Sequence, residues 1–248
     1  MCPGFRSCSC PTTNNLRFPT DSRLIMSPMT SPTFPTVSGP LVLDGPVGAL
    51  EVSIDLPEGD VAPRPLIAVL CHPLSTEGGS MHNKVVTMAA RSLRELGATT
   101  VRFNFRSVGE SAGHFDHGNG ERDDLLAVVA WVKQQRPDDA LWLAGFSFGA
   151  YVSLSAANAV QPGALISIAP PAGRWNFDKI VLPTCPWLLI QGDEDEVVEP
   201  QAVYAWVDTL KHKPELIRMP GTSHFFHRKL IDLRGAIQHG VKHWLPAA

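Results

Sequence analysis

Residues Gly145-Phe146-Ser147-Phe148-Gly149 spell a G-x-S-x-G between an apolar run, Ala140–Phe146, and a helical pattern, Phe148–Ala159. A serine on a sharp strand-to-helix turn has its hydroxyl pushed out of the sheet, and flanking glycines are needed because a Cβ would crowd the turn. The plainer alternative is a serine that only caps the following helix. A serine hydroxyl is a weak nucleophile and needs a base that a third group orients. For a serine on such a turn the partners follow in the order acid, then histidine.

Both partners occur in that order. The apolar run Trp187–Gln191 leads into Gly192-Asp193-Glu194-Asp195-Glu196-Val197-Val198, and Glu215–Met219 leads into Gly221-Thr222-Ser223-His224. Asp195 is the preferred acid, because three residues past Gly192 the loop can bend back towards a histidine. Asp193 is the competitor, with bonding to loop backbone as its other reading. His224 is preferred as base over His227, which the pattern puts at the start of the last helix.

Acyl transfer also needs two N–H groups aimed at the developing oxyanion. The residue after the nucleophile, Phe148, supplies one. The second comes from the loop after Leu66–Cys71, and because Pro73 has no N–H, Leu74 is the expected donor. His72 reads as a loop-bracing hydrogen-bonding residue. Phe146, Phe148, Phe225 and Phe226 read mostly as packing residues, with Phe146 and Phe225 expected to line an apolar acyl pocket.

Other clusters read as structural. His114 and His117 with Asp116 resemble a metal-ligand set, but they lie in a glycine-rich loop without a further ligand pair. Gly118-x-Gly120 is loop punctuation, since no strand runs into it. Glu121 reads either as an acid at the active-site rim or as one favoured by a helix N-terminus.

The elements that must hold these groups alternate. Strands are expected at Ala49–Leu56, Leu66–Cys71, Thr99–Asn104, Ala140–Phe146, Ala164–Ala169, Trp187–Gln191 and Glu215–Met219. Helices are expected at Asn83–Leu96, Asp123–Gln135, Phe148–Ala159, Pro200–Leu210 and His227–Trp244. This alternation predicts an α/β fold, a mostly parallel open sheet with helices on both faces, with its chemistry at the carboxyl ends of the strands. Residues 1–36 are rich in Pro, Ser, Thr and Asn and lack apolar periodicity. They are expected to be a disordered leader, with Met26 and Met29 as alternative starts, ahead of one domain over 37–248.

The chain has 248 residues, 44% of them hydrophobic and 18% charged, with a net charge of −3. That balance excludes wholesale disorder and offers no general attraction for nucleic acid. Lys211-His212-Lys213 reads as a solvated helix end. No apolar run approaches the roughly eighteen residues of a membrane span, and the N-terminus lacks a secretory apolar core. A soluble cytoplasmic protein is expected. The five cysteines form neither a disulfide framework nor a zinc pattern, so reduced thiols are expected.

Taken together, Cys71-His72-Pro73, Gly78-Gly79-Ser80-Met81, Asn83-Lys84-Val85-Val86, Arg102-Phe103-Asn104-Phe105-Arg106, Val108-Gly109, Ser111, Gly145–Gly149, Gly192–Val198 and His224-Phe225-Phe226-His227 resemble the α/β-hydrolase superfamily, and more closely its small bacterial serine hydrolases without a lid. The resemblance spans about residues 40–245. It implies Ser147, Asp195 and His224 as nucleophile, acid and base, and Phe148 with Leu74 as oxyanion donors. Two departures stand out: Leu74-Ser75 replaces a second His-Pro, and Ser107 stands where the group carries glycine. Lids of this superfamily enter after the strand that follows the nucleophile helix. Here the fourteen residues Ala172–Cys185 are too few for a helical cap.

The expectation is therefore a serine hydrolase of small acyl esters or thioesters that needs no metal or organic cofactor, as a monomer or homodimer. A small-peptide or amide hydrolase would use the same triad and recognise a substrate terminus, with Glu77, Glu110, Glu121 and Arg174 as candidates. A non-catalytic binding protein on this fold is the alternative of a different class.

Overall fold

A computed structural model of the chain describes Met1 and residues 32–248. The expected leader therefore lies outside the described residues, apart from Met1 and its last five positions. Two of those five meet Trp131: its indole N–H donates to the Pro32 carbonyl at 2.8 Å, and Phe34 stacks on its ring with centroids 5.3 Å apart.

Among the described residues eight strands form one sheet: β1 (Gly39–Gly45), β2 (Gly48–Asp55), β3 (Leu66–Cys71), β4 (Thr99–Phe103), β5 (Ala140–Phe146), β6 (Ala164–Ile168), β7 (Trp187–Gly192) and β8 (Glu215–Met219). Their order is β1-β2-β4-β3-β5-β6-β7-β8. β1, β2 and β4 are joined antiparallel, and every other pairing is parallel. The order reverses at β3, which lies between β4 and β5. In open sheets such a switch point opens the crevice used by ligands.

Helices cover both faces. α2 (Asn119–Gln135), α3 (Phe148–Val160) and α4 (Pro200–Thr209) pack with Val69, Leu143 and Leu189 on one side. α1 (Lys84–Arg94) and α5 (Leu230–Val241) pack with Leu70, Trp142 and Ile190 on the other. Neighbouring residues of one strand thus enter opposite cores. That is why β3, LIAVLC, is buried throughout and reads as an uninterrupted apolar run.

Three elements differ from the sequence reading. β1 was not expected; it is an edge strand with only Leu43 fully buried, which leaves little alternation to detect. α2 begins four residues before the expected Asp123. Glu121 holds that early turn by accepting from the N–H groups of Asp116 (2.9 Å) and Gly118 (2.7 Å). The last helix begins at Leu230 rather than His227, because Phe226 and Arg228 take positive φ (52° and 59°), which no helix continues.

Between β6 and β7 the chain forms no helix or strand, only an isolated bridge between Ala172 and Trp175, so no cap domain is inserted there. No described helix is long and apolar enough to cross a membrane.

Ser107, where the resembling group carries glycine, is exposed with φ 69°. A side chain in this left-handed region costs about 1–2 kcal/mol, offset in part by glycine's greater freedom when unfolded. Ser107→Gly should therefore stabilise the fold by about 0.5–1 kcal/mol and raise Tm by about 1–4 °C. An unchanged or lower melting temperature would mean that the serine offsets its own backbone conformation.

Candidate functional site

Ser147 joins β5 to α3 with φ 52° and ψ −120°, a conformation that L residues seldom adopt. The neighbouring backbone holds it there. Its N–H donates to the Ile168 carbonyl at 2.8 Å, and its own carbonyl accepts from Ala150 at 2.8 Å. The flanking glycines act as the sequence suggested. A Cβ on Gly145 would run into the Gly149 carbonyl, and a Cβ on Gly149 into the Cys71 carbonyl. α3 thereby meets β5 and β3 backbone to backbone.

Ser147, His224 and Asp195 come together. Nε2 of His224 lies 3.0 Å from Ser147 Oγ, and its Nδ1 lies 2.8 Å from Asp195 Oδ2. An ionised carboxylate only accepts, so Nδ1 carries the proton and Nε2 presents its lone pair to the serine hydroxyl. Asp195 is itself saturated: Oδ1 accepts from the N–H groups of Val197 (2.9 Å) and Val198 (2.7 Å), and Oδ2 also accepts from Gln191 (2.9 Å). Burial pushes the Asp195 carboxyl up, but the hydrogen bonds from His224, Val198 and Val197, with the attraction of His224, hold it below the ordinary carboxylate value.

The competing residues lie elsewhere. Asp193 is exposed and accepts from the Gly221 N–H at 2.7 Å. His227 is exposed in the turn ahead of α5. His114, Asp116 and His117 are exposed, and no group of three or more potential metal ligands forms among the described residues.

The loop after β3 is braced at several points. His72 is fully buried; its Nε2 accepts from the Phe105 N–H at 3.0 Å, so its proton sits on Nδ1 and is donated to the Pro73 carbonyl at 2.6 Å. Burial pushes its pKa down to about 4, against the pull of that Pro73 bond. The loop then closes on itself, the Gly79 N–H donating to the Leu74 carbonyl at 3.0 Å, where a Cβ on Gly79 would strike the Pro73 carbonyl. Asn104 Oδ1 accepts from the Met81 N–H at 2.9 Å, and Arg102 donates to the Met81 carbonyl at 2.8 Å. The Leu74 N–H has no acceptor among the described residues. Phe148 opens α3, where N–H groups lack intrahelical partners and the helix end is positive.

Ser147 and His224 open onto a cleft of about 350 Å³, whose wall includes Leu74, Phe148, Trp175, Val198 and Phe225. Phe225, 43% exposed, lines it. Phe146 does not: it points into the opposite core beneath His224, ring centroids 5.1 Å apart, and is buried. Residue alternation along β5 explains the correction, since the residue before Ser147 faces the other side of the sheet. Of the charged candidates for a substrate terminus, Glu77 and Arg174 line the cleft, Glu121 is fully buried in its helix cap, and Glu110 is exposed outside it. Trp175, Gln191 and Glu196 were not singled out from the sequence. A shallower depression of about 500 Å³, between residues 172–178 and α4, contains no member of the Ser147–His224–Asp195 array.

Residues 69–236 match the protein-family model of the alpha/beta hydrolase domain. The chain is similar to the uncharacterized protein RP471 of Rickettsia prowazekii (strain Madrid E), 31% identical over 207 residues, or 79% of this chain and 86% of that one. Among solved structures, XC6422 from Xanthomonas campestris, a member of a/b serine hydrolase without lid, is 71% identical with a TM-score of 0.86, covering 88% of this chain and 100% of that one. An alpha-beta serine hydrolase homologue from Coxiella burnetii is 44% identical with a TM-score of 0.81, covering 84% and 100%.

The lowered pKa of Asp195 links this site to stability. A carboxylate held below its unfolded value stabilises the fold above that value, near pH 4, and loses the contribution as pH falls through the folded value. The melting-temperature gap between wild type and Asp195→Asn should therefore be widest near neutrality and shrink below about pH 4. A gap that stays constant down to the acid limit would show that ionisation of Asp195 adds no stability.

Proposed function

The chain belongs to the α/β-hydrolase family, and on that premise we propose that it is a serine hydrolase of small carboxylic esters or thioesters. The observation that carries this reading is the unbroken relay of Asp195 Oδ2, the His224 ring and Ser147 Oγ, at 2.8 and 3.0 Å. In this reading Ser147 Oγ attacks the acyl carbonyl as His224 Nε2 takes its proton. Asp195 keeps the ring in the required tautomer and stabilises the imidazolium that forms. The carbonyl oxygen, now negative, is received by the N–H groups of Phe148 and Leu74.

Collapse of the tetrahedral adduct breaks the bond to the alcohol or thiol, which leaves with the proton from His224. Water then attacks the acyl-enzyme by the same relay, with His224 as base, and releases the carboxylic acid and free Ser147. No step requires a metal or an organic cofactor. A cleft of about 350 Å³ without a cap suits a small acyl group, or a larger molecule that presents one accessible bond.

The test is labelling with a fluorophosphonate, followed by peptide mapping and assays on p-nitrophenyl esters and acyl thioesters. Wild type is expected to be modified at Ser147, and Ser147→Ala to lose both the label and at least roughly 10³-fold in kcat. Well-folded wild type that resists the reagent and hydrolyses none of these substrates overturns the proposal. Asp195→Asn should likewise lose most of kcat, while Asp193→Asn keeps most of it. The reverse pattern would make Asp193 the acid.

A further inference from the structure

His224 sits on a loop of no regular structure, residues 220–224, whose main chain is hydrogen-bonded to the loop carrying Asp195. The two backbones touch where a Cβ on Gly192 would run into the Thr222 carbonyl. The Asp193 N–H donates to the Met219 carbonyl at 3.1 Å, and the Glu194 N–H to the Thr222 carbonyl at 3.2 Å. Two carboxylates then reach across: Asp193 Oδ1 takes the Gly221 N–H at 2.7 Å, and Glu196 Oε2 takes the N–H of His224 itself at 3.0 Å. The histidine is thus gripped twice by consecutive residues, by Asp195 on the ring and by Glu196 on the main chain.

These grips constrain different freedoms. The Nδ1–Oδ2 bond fixes the tautomer but allows the ring to swing about it. The backbone bond fixes the direction from which the side chain leaves the chain, and so where Nε2 lies relative to Ser147 Oγ. A charged acceptor also makes a stronger hydrogen bond than a neutral one. Glu196 is exposed, so its carboxylate is not needed to fill the core.

We infer that Glu196 is a positioning residue for His224, acting through the His224 backbone N–H to hold Nε2 in line with the Ser147 hydroxyl. This rests on the serine-hydrolase reading and adds to it a second carboxylate outside the Ser-His-Asp relay. Small misplacements of a reacting group are expensive, up to about 10²-fold for roughly 1 Å. Loss of the grip should therefore appear in kcat, with substrate binding little affected.

The experiment compares wild type, Glu196→Ala, Glu196→Gln and Glu199→Ala, the last removing an exposed carboxylate of the same region that makes no side-chain cap bond. Kinetics on p-nitrophenyl acetate, rates of fluorophosphonate labelling and melting temperatures are measured for each. Glu196→Ala should lower kcat and the labelling rate about 10-fold, with KM within about twofold and Tm within a few degrees of wild type. Glu196→Gln keeps an acceptor oxygen and should recover to within about threefold of wild type, while Glu199→Ala behaves as wild type. An unchanged kcat in Glu196→Ala, or an equal loss in the alanine and glutamine variants, overturns the positioning role. Absence of labelling in wild type overturns instead the reading on which this role depends.

Discussion

Everything at this site depends on a contact between main chains. α3 can follow β5 without a spacer only because Gly145 and Gly149 let its first turn lie against the ends of β5 and β3. With any side chain at either place the helix would stand off, and the turn that gives Ser147 its positive φ would relax. The same approach brings the start of α3 beside the loop after β3. Phe148 and Leu74 therefore line one cleft although they lie 74 positions apart in sequence. Close packing of backbone thus does the work that specific side chains do elsewhere in the molecule.

The two buried histidines illustrate how neighbours decide a role. Both have one ring nitrogen donating and the other accepting. His72 exchanges both bonds with main-chain groups, Pro73 on one side and Phe105 on the other, and burial keeps it neutral. His224 faces a carboxylate on one side and a hydroxyl on the other, and in the proposed reaction the proton is exchanged on the serine side. His72 belongs to the scaffold, in which Asn104 and Arg102 hold the far end of the same loop at Met81.

Much of this was legible in the sequence, because its strongest signals are local. Buried strands such as Leu66–Cys71 and Ala140–Phe146 announce themselves as apolar runs, and the G-x-S-x-G, the acid loop and His224 follow at strand ends in a fixed order. What could not be read depends on distant pairings. β1 gains its register only against β2, and the first turn of α2 depends on Glu121 reaching back to Asp116 and Gly118. Phe146 is expected as a pocket residue on its aromatic type alone, and the pleat of β5, which sends it to the other core, shows only in the packing. Gln191 and Glu196 left no trace beyond a polar residue at a strand end and an acid among several. Their partners, Asp195 and the His224 amide, become visible only when two loops are brought together.

The uncapped crossover between β6 and β7 has a kinetic consequence. Where a lid must move, its opening and closing often set the pace of turnover. In the proposed reaction no cap between β6 and β7 has to open before the encounter, so productive collisions depend on diffusion and on the orientation of the incoming molecule. The same openness forgoes a closed enclosure's exclusion of solvent. The array must therefore be organised before any ligand arrives, and the Asp195 carboxylate, with four hydrogen-bond donors already in place around it, is organised in that way.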